Sequence, residues 1–211
     1  MRLVHVDEPQ HTKEVAFEKA AIILRTRPNA VLFEFPTAPG PSLSHFNRFP
    51  PHKKPKDLME EFKRSNVKDS ARYPWLETEN VVLEAIEKLW DEGKQVHLYE
   101  IDGPIELTSE AEKHIPKGGL VNIAFHYLRE LYMHENIRRI EHKLGRDAVA
   151  VVLCHNYHWQ NLTFLMTEPT TKEIWKHYFG KETKEAVEAS LSEKEILTKH
   201  WRLKSHFRAT P

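Results

Sequence analysis

Short runs of β-branched and aromatic residues alternate along this chain with longer stretches whose apolar positions recur every three or four residues. Arg2 to Val6 is a run of the first kind and predicts a strand. Thr12 to Arg27 follows, with Val15, Phe17, Ala20, Ile22, Ile23 and Leu24 at helical spacing and Thr12 placed to cap the helix. Pro28-Asn29 breaks that helix, and Ala30 to Phe35 is an apolar run interrupted only by Glu34 and closed by Pro36, the pattern of a strand buried on both faces. Glu77 to Glu92 predicts a helix ended by Gly93, and Lys94 to Ile101 a third strand before the turn Asp102-Gly103-Pro104. Leu120 to Leu144 predicts a long amphipathic helix ended by Gly145, and Ala148 to Leu153 a fourth strand. Leu162 to Met166 is an additional strand candidate, and Thr171 to Tyr178 and Lys184 to Lys204 are helical.

Strands alternating with helices predict an α/β fold: a mostly parallel sheet of four or five strands with helices on both faces. The expected organisation is one α/β domain over residues 1–170 and a helical extension over residues 171–211 packed on it. Within the domain, residues 36–56 hold six prolines together with His45, Arg48 and His52, and form a long irregular connection before a short helix from Asp57 to Arg64.

Composition narrows the function. Lys plus Arg and Asp plus Glu both number 31, so no net field favours nucleic acid or an acidic membrane surface, and neither is an expected partner. The lone Cys154 excludes an internal disulfide, and with no leader-like or membrane-length apolar segment the expected compartment is the cytoplasm. A small-molecule or peptide substrate is the expected partner, with a homo-oligomer open.

Candidate chemistry collects where strands end. Glu8 and His11 follow the first strand, Glu34 ends the second, and His155 and His158 lie in the loop after the fourth. Ligands of open α/β sheets bind beyond the carboxyl ends of the strands, so these five side chains can share one cleft. A carboxylate amid Val31, Leu32, Phe33 and Phe35 needs a cation, a metal or hydrogen-bond donors; pairing with an arginine or capping a helix would satisfy it as well as chemistry would. Glu8-x-x-His11 and His155-x-x-His158, with Glu34, carry suitable ligands for Zn²⁺, Mn²⁺ or Co²⁺. Without a metal, His11 or His158 serves as general base toward water, its tautomer fixed by Glu8 or Glu34. Cys154 is read as a small buried residue. Arg129 and Asn136 are seven apart on the long helix and so share a face that can reach a substrate anion or orient a carboxylate, whereas Glu130 and its charged neighbours read as a solvated face. Tyr157 and Trp159 flank His158 and can shape a pocket.

Four blocks resemble the TraB/PrgY/Tiki family: Leu3 to Pro36, with a loop ending in His11 and then R-P-N-A-V-L-F-E-F-P; Gly93 to Leu107; R-E-L-Y-M-H-E-N-I from Arg129 to Ile137; and V-A-V-V-L-C-H-N-Y-H from Val149 to His158. Glu8 and His155 stand where that pattern has glycines and Gly103 where it has arginine. The first two are similar to the E-x-x-H and H-x-x-H pairs of the wider erythromycin-esterase and ChaN-like group. The resemblance implies a compact α/β fold with a cleft built from His11, Glu34 and His158, with Arg129 and Asn136 near it. That group includes metal-dependent proteases, esterases with a histidine-activated water and a haem-binding lipoprotein. The expectation is therefore a hydrolase of esters or peptides in which His11, Glu34 and His158, with Glu8 and His155, activate water directly or through a metal, and Arg129 stabilises the oxyanion. The alternative is a non-catalytic regulatory protein that holds a metal, haem or a peptide.

Overall fold

Side chains alternate across each strand, and in this chain both faces of the alternation are apolar. The computed structural model describes residues 1–8, 13–37, 76–104, 107 and 119–180. Val31 and Phe33 of the second strand, Leu98 of the third, and Val151 and Leu153 of the fourth point to one core, with Ile23, Val82, Ile86 and Leu89 opposite them. Ala30 and Leu32, Tyr99 and Ile101, and Ala150, Val152 and Cys154 point to the other, under Met133, Ile137 and Ile140. Two apolar faces demand helices on both, as the sequence predicts.

The elements are β1 (Arg2–Asp7), α1 (Lys13–Thr26), β2 (Ala30–Thr37), α2 (Leu76–Asp91), β3 (His97–Pro104), α3 (Gly119–Leu144), β4 (Val149–Cys154), α4 (Asn156–Met166) and α5 (Thr171–Phe179). All pairings are parallel, in the order β1-β4-β2-β3. Moving from β1 to β2 to β3 the chain advances in one direction across the sheet; from β3 to β4 it turns back. Parallel crossovers keep one hand, so reversing direction sends the connecting helix to the opposite face: α1 and α2 cover one side, α3 the other. α3 runs antiparallel to the strands, which sets its N-terminal half beside their carboxyl ends.

Glycines end the helices as the pattern requires: Gly93 follows α2 with φ +81° and Gly145 follows α3 with φ +90°, both in the left-handed region. α5 begins with a capping box between Thr170 and Glu173. A third apolar cluster joins the N-terminal half of α3 (Ala124, Phe125, Tyr127, Leu128) to Leu165 of α4 and Ile174, Tyr178 and Phe179 of α5.

Two expectations are corrected. Leu162 to Met166 is not a strand but the second half of α4, in which Leu162 and Leu165 are buried three residues apart on one helical face. The third strand does not end at Ile101 before a turn; β3 continues through Asp102 to Pro104, pairing Asp102 with Pro36 and Pro104 with Thr37 across register shifts in β2. Such an irregularity is accommodated at Pro36, which has no N–H to give to the ladder. His11 and Thr12, the connection of residues 38–56, the helix expected from Asp57 to Arg64 and the one from Lys184 to Lys204 lie outside the described residues. Among the described residues no helix is long and apolar enough to cross a membrane.

Candidate functional site

Glu34 is the point to which four elements converge. It follows Ala30 and Leu32 at two-residue intervals on β2, so its side chain emerges on the α3 face just past the last ladder pair with β4. Its Oε2 accepts the backbone N–H of His155 at 2.9 Å, and its Oε1 lies 3.2 Å from Arg129 Nη2 and 3.4 Å from His158 Nε2. Asp7, at the end of β1, accepts the neighbouring Asn156 N–H at 2.7 Å. Two strand-end carboxylates thus meet the start of α4, where unpaired N–H groups and the helix dipole favour negative charge.

The loop expected after β4 is therefore a helix start. His155 is the residue before α4 and its Nδ1 accepts the Tyr157 N–H at 3.1 Å, which leaves the exposed ring capping the helix. His158 sits in the first turn of α4, buried, with its Nδ1 2.9 Å from Glu130 Oε1.

Arg129 and Glu130 come from α3, and the structure revises the expectation for Glu130. Its residue is 0% exposed, and Oε1 also accepts from Asn161 Nδ2 at 2.8 Å. Asn161 in turn is 2.8 Å from His177 Nε2 of α5. Arg129 holds Asp102 as a fork, Nε to Oδ1 at 3.1 Å and Nη2 to Oδ2 at 2.6 Å, so its Nη2 is shared between Asp102 and Glu34. Asn136 shares the helix face of Arg129 but serves a different end: its Nδ2 donates to the carbonyl oxygens of Ile101 and Asp102 at 2.9 and 3.4 Å, fixing the end of β3. Asp102 and Glu130 were the members the sequence concealed. A buried pair for Arg129 was implied by a carboxylate at the end of an apolar strand, and Glu130 falls four residues before His134 and three before buried Met133, on the packed side of α3.

Electrostatics follow from burial. Glu34 is held above the usual carboxylate range by burial, with Asp102 adding to the rise and His158, Arg129 and the His155 N–H opposing it. His158 loses solvation in the interior, which works against its charge, yet the Glu130 hydrogen bond and the Glu34 charge carry it above the ordinary histidine value. Burial pushes the Cys154 thiol well up, and its side chain is fully enclosed. Tyr157 is 46% exposed, with its ring edge-on to His158 at 5.5 Å between centroids.

The remaining candidate ligands separate. Glu8 is ion-paired with Lys19 of α1, and the ring of His155 is spent on its cap. Among the described residues no three His, Cys, Asp or Glu side chains are arranged to hold a metal ion, and His11 is outside them. The described residues therefore do not assemble the expected set of five ligands. A cleft of about 220 Å³ lined by Leu3, His134, Ile137, Arg138, Met166 and Glu168 opens elsewhere, along the C-terminal half of α3, and does not adjoin Glu34.

No protein-family model matches the chain, and no characterised protein or solved structure is significantly similar to it.

Proposed function

We propose that the chain is a hydrolase that activates water at the Glu34–His158 pair and cleaves an ester or peptide. The observation that carries this reading is the imidazole of His158 held between two carboxylates, Nδ1 on Glu130 and Nε2 toward Glu34, at the carboxyl ends of the strands. Glu130 fixes the ring orientation and supports its charge, as a carboxylate does for a catalytic imidazole. In the reaction, Glu34 takes a proton from water as the hydroxyl adds to the carbonyl carbon. Protonated His158 gives its Nε2 proton to the leaving alkoxide or amine as the C–O or C–N bond breaks. The proton on Glu34 then returns to His158, leaving an acid and an alcohol or amine. Arg129, occupied by Asp102, holds Glu34 in place. The resemblance to the TraB and erythromycin-esterase groups, whose members include hydrolases, supports the same reading, and the substrate it implies is a small molecule or a peptide.

The test is hydrolysis of ester and peptide panels by the purified chain, with and without Zn²⁺, Mn²⁺ or Co²⁺, beside Glu34→Gln and His158→Gln. Turnover lost in both variants supports the reading; silence of the wild type on every substrate sinks it. A bell-shaped pH profile is expected, because Glu34 must be ionised and His158 protonated.

One observation favours a binding protein instead: both oxygens of Glu34 already have donors, so this carboxylate is satisfied without a substrate. A haem Soret band, a stoichiometric metal or a bound peptide without turnover would select that reading.

A further inference from the structure

His126 lies on α3 three and four residues before Arg129 and Glu130, which places all three on one helical face. Its ring centroid is 5.7 Å from that of His158 and 5.5 Å from that of Tyr157, whose ring is itself 5.5 Å from His158. The three rings make a triangle whose His158 corner lies 3.4 Å from Glu34 and whose Tyr157 wall is open to solvent.

Nδ1 of His126 is enclosed and has no hydrogen-bond partner among the described residues. An unpaired buried N–H is the costlier of the two orphans, so the proton belongs on Nε2 and Nδ1 is the bare acceptor. Burial, and then the charges of His158 and Arg129, push His126 down to about 4 against the opposing charge of Asp102. Two adjacent imidazoles are therefore pushed in opposite directions: His158 toward its charged form between Glu130 and Glu34, His126 toward the neutral one. The guanidinium expected to meet the oxyanion is meanwhile forked onto Asp102 and shared with Glu34.

Resting on the hydrolase reading above, we propose that His126 is a further catalytic residue, whose Nε2–H donates a hydrogen bond to the carbonyl oxygen of an ester or amide packed against the Tyr157 ring. It exchanges no proton. Water's proton goes to Glu34, the leaving group takes its proton from His158, and His126 stabilises the charge that gathers on oxygen between those transfers.

The experiment compares wild type, His126→Leu and His126→Gln on whichever ester the wild type turns over, with ¹⁵N-detected NMR of the histidine rings. His126→Leu should lower kcat about 100- to 1,000-fold with little change in KM, the cost of one lost oxyanion donor, and His126→Gln should recover part of it by restoring an N–H. In the wild type the His126 ring should show an Nε2–H neutral tautomer at pH 7 and should not charge until well below pH 6. An active wild type with His126→Leu within about threefold in kcat, a change in KM alone, or an Nδ1–H or charged ring at pH 7 overturns the assignment while leaving the hydrolase reading intact. A wild type silent on all substrates overturns both.

Discussion

Removing the guanidinium of Arg129 should destabilise the fold more than any substitution on the surface of α3. The side chain of Asp102 is 2% exposed and that of Arg129 11% exposed, so the pair is desolvated on one partner and nearly so on the other. Arg129→Met keeps the aliphatic stem in place but leaves Asp102 with only the N–H of Gly103, at 2.6 Å, as donor among the described residues. A buried charge left without its partner costs about 3–5 kcal/mol. Against a total stability of about 5–15 kcal/mol this is a large fraction, and the variant should be close to its unfolding midpoint when warmed. Arg129→Lys keeps the charge and loses the fork, for about 1.5–3 kcal/mol. Urea is the right denaturant because guanidinium would screen the pair. In a double-mutant cycle with Asp102→Asn, the coupling should reach about 2 kcal/mol, since the second change removes the charge that the first strands. A loss below about 1 kcal/mol for Arg129→Met, the level of an exposed ion pair, or an additive cycle, would refute the claim that this pair is a buried one.

Three further outcomes follow from the same network. Glu130→Gln removes the carboxylate that bonds His158 Nδ1, so the His158 imidazole, measured by NMR titration, should fall below its wild-type value, because burial opposing its charge remains. The His158 contribution to stability should decline as pH rises: its folded value is raised above the ordinary histidine value, so the contribution is complete below the unfolded value and is lost as pH climbs through the folded one. The difference in urea midpoint between wild type and His158→Gln across pH 6 to 9 should show this decline, because the depressed His97, His126 and His134 act alike in both proteins and cancel in the difference. Asn136→Leu strands the carbonyl oxygens at the end of β3 and should cost about 1–3 kcal/mol by urea unfolding, without change in the far-ultraviolet spectrum.

The sequence made the framework legible because strand and helix periods were clean. Val149–Cys154 and Arg2–Asp7 matched their expected runs to within a residue, and Gly93 and Gly145 marked helix ends by the φ values they take. The apolar run Leu162 to Met166 was ambiguous, because five residues do not separate a strand from a helical turn. His155 decided it from the neighbouring segment, by capping α4. Glu34 and His158 were visible as odd residues at strand ends, but their partners were not: Asp102 looked like turn chemistry before Gly103, and Glu130 like one charge among many on α3. Which of two adjacent charges faces inward is set by how α3 is rotated against the sheet, and periodicity in a helix whose N-terminal half is apolar on most sides does not fix that rotation.

Counting charges in the network explains why the site holds a proton. Glu34, Asp102 and Glu130 bring three carboxylates, and Arg129 supplies one permanent cation, which Asp102 takes as a fork. Glu34 and Glu130 are left on either side of one imidazole, so charging His158 is the way to offset them without exporting a carboxylate to water. The deficit that remains is one negative charge, and it falls on Glu34, which burial and the charge of Asp102 raise and which is the one of these three carboxylates that solvent still reaches. A proton placed there needs no rearrangement of the other four groups, because Arg129 stays on Asp102 and His158 stays on Glu130. Glu34 is thus the position in the cluster at which a proton can come and go while the scaffold around it stands still.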